Sequence, residues 1–101
     1  MTLIHDVLAE AEDDIGSHVD YLFDRNPSVA QRFSDAVDET IQMLCRSPEL
    51  GERFSADLTG QIRFRTISGF RNYLIIYRRV DTVLEILRVL HGARDYEDLF
   101  E

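Results

Sequence analysis

The sequence predicts an α+β domain in which a helical hairpin packs on one face of a small, mainly antiparallel sheet, in the order β-α-α-β-β-β. Three observations carry that expectation. Apolar residues recur at helical spacing through most of the first half of the chain. The second half switches to alternation and short apolar runs separated by glycine or aspartate turns. A length of 101 residues with 45% hydrophobic content suits one modest core, so residues 1–101 are read as a single domain.

The elements follow in order. "TLIHDV" reads as a short first strand. From about Leu8, apolar residues fall at Leu8, Ala11, Ile15, Val19, Leu22 and Phe23, one face of a helix. Glu10, Glu12, Asp13, Asp14 and Asp20 lie between them as a solvated face, and Gly16 is a mild local weakness. In "DRNPS", Asn26 caps the next helix, and Pro27 suits its first position because the missing N–H is not needed there. The second stripe is Val29, Ala30, Phe33, Ala36, Val37, Ile41 and Leu44. It ends before Ser47-Pro48, since proline disfavours helix in the residue preceding it. Two helices joined this tightly form an αα-hairpin.

"PELGERFSADLTG" reads as loop. In "QIRFRTI", Ile62 and Phe64 alternate with Arg63 and Arg65, as in a half-buried strand. A turn at Gly69 leads to "YLIIYRR", apolar on both faces as a central strand should be. "VDT" turns again into "VLEILRVLH". If Ile62 and Phe64 face the helices, Arg63 and Arg65 project from the uncovered face. Apolar side chains among Tyr73, Leu74, Ile75, Ile76 and Tyr77 then need a cover.

The charge is unevenly divided. The net charge is −8, and all of it lies in residues 1–50; between Leu58 and Val80 there are five arginines and no acid. Every cation is an arginine, whose guanidinium fork suits carboxylate or phosphate. No apolar run approaches the ~20 residues of a membrane helix, and the start lacks the pattern of an export signal. A soluble, cytoplasmic protein is expected, with no cofactor and no metal. Cys45, the only cysteine, falls on the second apolar stripe and is read as a small buried hydrophobe.

The chemistry-bearing residues gather in "RVLHGARDYEDLF", where Arg88, His91, Arg94 and Asp95 surround the end of the last strand. Asp95 is expected to pair with Arg94 or Arg88, and Gly92 to take a positive φ.

The arrangement "NP…A.RF", followed by "SPELG", "IRFRTISGFRNYLIIYRR" and above all "ILRVLHGARD", resembles the RelE/ParE superfamily of type II toxins, from about Leu8 to Phe100. The resemblance implies a compact toxin neutralised by an antitoxin encoded beside it. That antitoxin is expected to be ribbon-helix-helix and ParD-like, with a heterotetramer among the assemblies allowed. RelE-like members cleave mRNA on the ribosome with basic residues and a late tyrosine. By position, Arg63, Arg65, Arg71 and Arg94 match the basic set, and Phe100 stands at the tyrosine. ParE-like members poison DNA gyrase, and their His-Gly-x-Arg-Asp corner is matched by His91, Gly92, Arg94 and Asp95.

Elementary chemistry favours the second activity. Cleavage by a 2′-hydroxyl needs a proton acceptor, a donor and charge stabilisation. Arginines stay protonated, Phe100 has no hydroxyl, and only His91 has an ordinary pKa suited to proton transfer. His5 and His18 are read as structural. A chain of charge −8 is also a poor partner for a polyanion, so direct nucleic-acid binding is not expected. The reading is therefore a gyrase inhibitor without chemistry of its own. Its target- or antitoxin-facing residues would be Arg63, Arg65, Arg71, Tyr73, Tyr77, Arg88, His91, Arg94 and Asp95. An mRNA endoribonuclease using Arg63, Arg65, Arg71, His91 and Arg94 is the alternative. A non-toxic interaction protein on the same fold is a third reading.

Overall fold

A computed structural model of the chain describes residues 2–54 and 57–95. Strand β1 (Ile4–Val7) leads into helices α1 (Ala9–Arg25) and α2 (Pro27–Arg46), then a single 3-10 turn, Pro48–Leu50. Strands β2 (Glu52–Arg53), β3 (Ile62–Ile67), β4 (Phe70–Val80) and β5 (Val83–His91) follow, and α3 (Gly92–Asp95) closes the described chain. The sheet order is β1-β5-β4-β3-β2, antiparallel except where β1 pairs with β5 in parallel. The expected α+β architecture is present, with β4 in the middle of the sheet.

The hairpin forms for the reasons its sequence suggests. The Asn26 side chain accepts the Ser28 N–H at 3.1 Å and Pro27 opens α2. Along α2, Ala30, Phe33, Ala36, Val37, Ile41, Leu44 and Cys45 are buried against the sheet. Thr40 joins them because its hydroxyl is satisfied twice, donating to the Ala36 carbonyl at 2.7 Å and accepting the Ser68 N–H at 3.2 Å. Large side chains such as Phe33, Leu44 and Ile86 are wholly buried, each worth roughly 1.5–3 kcal/mol. Burial also raises the Cys45 thiol above its ordinary value, which keeps it protonated and inert. In α1 the expected stripe holds at Ala11, Ile15, Val19 and Leu22, whereas Phe23 is exposed.

Several features differ from the expectation. The segment 48–60 is not all loop: Glu52 and Arg53 pair with Phe64 and Arg63 as a fifth strand, too short to announce itself by alternation. The faces of β3 are also the reverse of those expected. Arg63 lies opposite Tyr77 and Arg65 opposite Ile75, and cross-strand partners share a face. Tyr77 and Ile75 belong to the core under the helices, so Arg63 and Arg65 lie on the helix side and Ile62 and Phe64 on the other. Alternation separates two faces without naming them. Here Ile67 (1% exposed) enters the core, with a register shift between Thr66 and Ile67.

The same register corrects the expectation for β4. Tyr73, Ile75 and Tyr77 are core residues beneath the helices, while Leu74 and Ile76 face the opposite side. Gly92 does not take a positive φ; that conformation falls on Gly60, Gly69 and Asp81. Gly69 (φ 81°) and Asp81 (φ 53°) make the two tight strand connections.

Candidate functional site

Two constellations emerge, at opposite ends of the sheet. The first surrounds the 3-10 turn after α2. The Tyr77 hydroxyl donates to the Pro48 carbonyl at 2.6 Å and accepts the Gly51 N–H at 2.9 Å. Arg63 donates to the Gly51 carbonyl at 2.8 Å and Arg65 to that of Leu50 at 2.9 Å. Three side chains from two strands thus satisfy the backbone of a segment with little regular structure of its own. A Cβ on Gly51 would overlap the Tyr77 hydroxyl, so this close approach requires glycine. Arg63 and Arg65 are committed to holding the chain together.

The second constellation is the corner where β5 ends. Strand β1 stops at Val7, opposite Ile86, and leaves the outer edge of β5 open beyond it. Helix α1 closes that edge. Asp14 accepts the Val89 N–H at 3.0 Å, and His18 donates from Nε2 to the Val89 carbonyl at 2.8 Å. Two side chains one helical turn apart therefore replace the missing strand. Asp14 also takes Arg88 in a two-point ion pair, at 2.7 Å and 3.0 Å, and Glu10 stands 3.7 Å from the same guanidinium. These acids raise the Arg88 pKa further above its ordinary value, the Asp14 hydrogen bond most of all.

His91 and Asp95 form the rim of this corner. The Asp95 carboxylate accepts the His91 N–H at 2.8 Å, rather than pairing with Arg94 or Arg88. The His91 ring packs edge-on to Tyr73, 5.0 Å between centroids, and its Nδ1 is buried without a hydrogen-bond partner among the described residues. Tyr73 in turn meets His18 and Phe33, and burial raises its phenol pKa. Arg94 is exposed and its guanidinium lies 5.1 Å from the centre of the Tyr21 ring, over which Arg25 also stacks at 3.7 Å. Between α1 and the end of β5 is a cleft of about 410 Å³ lined by Ser17, His18, Tyr21, Leu90 and Arg94.

The residues singled out from the sequence are therefore only partly brought together. Arg88, His91, Arg94 and Asp95 share the corner. Arg63 and Arg65 serve the other end of the sheet, and Arg71 is exposed just past the Gly69 turn. Phe100 lies outside the described residues. Sequence reasoning missed Asp14, Ser17, Tyr21 and Arg25 as site residues and placed Asp14 on a solvated face. Their signal was present: Asp14, His18, Tyr21 and Arg25 are spaced 4, 3 and 4 apart, a polar stripe beside the apolar one. Among the described residues, no three His, Cys, Asp or Glu side chains are grouped to hold a metal ion, and no helix is long and apolar enough to cross a membrane.

A helical hairpin on a five-stranded sheet, with an arginine-histidine corner at the end of β5, defines a small α+β domain. A solved chain described as "Chromosomal ParDE TA system from P. aeruginosa" has this fold. It superimposes with a TM-score of 0.73 at 15% identity, covering 89% of this chain and 96% of its own. The family described as "ParE toxin of type II toxin-antitoxin system, parDE" matches residues 6–96. The chain belongs to that family. No functionally curated protein matches it significantly.

Proposed function

We propose that this ParE-family toxin acts in the cytoplasm as an inhibitor of DNA gyrase and is neutralised by a cognate antitoxin. The observation that supports the gyrase reading over RNA cleavage is the dispersal of the arginines. A phosphodiester-cleaving site must hold its charge-stabilising cations around one reacting phosphate. Arg63 and Arg65 instead bond the carbonyls of Gly51 and Leu50, while Arg94 stands over Tyr21 at the corner. His91, the side chain suited to proton transfer, has its Nδ1 buried against the core. The net charge of −8 also disfavours a polyanionic substrate and suits a protein target.

The test is pulse incorporation of labelled thymidine and methionine after inducing the toxin alone. Thymidine incorporation is expected to fall first. An earlier fall in methionine incorporation would replace this reading with ribosome-dependent cleavage. A triple substitution of Arg63, Arg65 and Arg71 by Ala should leave toxicity in place wherever the variant folds.

A further inference from the structure

The corner cleft contains committed and uncommitted polar groups, and the division between them is informative. Its acids are committed. Asp14 holds Arg88 and the Val89 N–H, and Asp95 holds the His91 N–H. Arg88 is likewise occupied by Asp14 and Glu10. Arg94, which lines the cleft, and Arg25, which stacks on its Tyr21, are not: among the described residues, no carboxylate lies within ion-pair distance of either. Both guanidiniums instead stand over one tyrosine ring, a weak attraction, and Arg25 also donates to the Tyr21 carbonyl at 3.4 Å. The Ser17 and Tyr21 hydroxyls add further donors, and Leu90 provides an apolar wall.

We propose that this cleft is the docking site for an acidic segment of the neutralising antitoxin, with carboxylates on Arg25 and Arg94 and an adjoining apolar or aromatic side chain against Tyr21 and Leu90. The inference rests on the neutralisation reading given above. A partner carboxylate there displaces no ion pair with a described residue, which spares the usual cost of exchanging one pair for another. Tyr21 keeps the two like charges poised at one place. Nucleic acid would also seek arginines, but the surrounding acidity of α1 repels a long polyanion while tolerating a short acidic peptide.

The test uses the full toxin in complex with its antitoxin. Affinity is measured by calorimetry for the wild type, for R25A/R94A, and for R32A/R79A as a control with the same charge change. Because Arg25 and Arg94 are exposed, the first variant is expected to fold, which circular dichroism would verify. The R25A/R94A pair should weaken antitoxin binding about tenfold or more per arginine, with a shallower dependence on salt. The control should bind as the wild type does. Hydrogen exchange on complex formation should show protection of residues 17–25 and 90–95. Equal affinity for R25A/R94A and wild type, or no protection in these segments, overturns the proposal. Toxicity distinguishes the two readings: weakened antitoxin binding with a block in protein rather than DNA synthesis would keep the cleft and reject the gyrase target.

Discussion

Asp14 and Arg88 lie 74 positions apart and form a two-point ion pair, Nε to Oδ2 at 2.7 Å and Nη2 to Oδ1 at 3.0 Å, while the same carboxylate receives the Val89 N–H. The pair joins the first helix to the last strand where the sheet edge would otherwise be open. Its side chains are 16% and 35% exposed, so solvent screens it only in part. Asp14→Ala should lower stability by about 2 kcal/mol, because it leaves a strand N–H without its acceptor and the guanidinium with only Glu10 at 3.7 Å. Arg88→Ala should cost less, since Val89 keeps its acceptor. Urea denaturation of the two variants reads the difference; equal costs would mean that closing the strand edge contributes nothing.

His18 offers a related test on the other side of Val89. A leucine there preserves much of the volume but loses the Nε2 donor at 2.8 Å. The buried Val89 carbonyl would be left unpaired on that edge, at a cost of about 1–3 kcal/mol. Thermal or chemical denaturation of His18→Leu measures this. Asparagine or glutamine, retaining a donor, should recover part of the loss.

Gly16 and Gly51 should respond to alanine with opposite signs. Nothing stands within 4 Å of a Cβ built on Gly16, in the middle of α1. Gly16→Ala should therefore stabilise by about 0.5–1 kcal/mol through helix propensity and a less flexible unfolded chain. At Gly51 the new methyl would overlap the Tyr77 ring and hydroxyl, so Gly51→Ala should destabilise by about 1–3 kcal/mol. Denaturant midpoints for both variants decide it.

Stability should fall away at both ends of the pH scale, for different reasons. Asp57 accepts the Ile62 N–H at 2.8 Å, the largest cause of its lowered pKa, along with the Thr59 hydroxyl and the Thr59 and Gln61 N–H groups. Its folded value lies below the ordinary 3.8, so its contribution is present above that pH and is lost as pH falls below it. At the other end, burial raises the Tyr77 phenol above its ordinary value of 10.0. The folded state then holds the proton more tightly than the unfolded chain. That contribution is complete below about pH 10 and is lost as pH rises above it. Melting curves across pH should show an acid limb flattened by Asp57→Asn and an alkaline limb flattened by Tyr77→Phe.

Much of the fold was legible in the order of residues. The 3.6-residue period placed α1 and α2 within a residue or so, Asn26-Pro27 marked their junction, and Gly69 and Asp81 sat at the strand connections. These features are local, and local chemistry carries them. The strand β2 was not legible, because two residues have no period; its partner β3 makes it a strand. The site was half legible. The run from Arg88 to Asp95 concentrates four chemistry-bearing residues at one strand end, whereas the α1 stripe of Asp14, His18, Tyr21 and Arg25 reads as ordinary helix surface until β5 lies beside it.

What the amino-acid sequence determined by itself was the helical hairpin and four of the five strands, their order, and the separation of apolar from polar positions within each, since all of these follow from spacing along one chain. Tertiary structure alone decided which side of β3 the helices would cover, and with it the fate of the arginines. Alternation is symmetric between two faces. Only the pairing of Arg63 with Tyr77 and of Arg65 with Ile75 breaks that symmetry, turning two expected surface cations into the clasp of the 48–51 turn. The same long-range geometry left Arg25 and Arg94 beside one tyrosine, from residues some seventy positions apart. No periodicity carries a contact of that kind, because it exists only once α1 has packed against the end of β5.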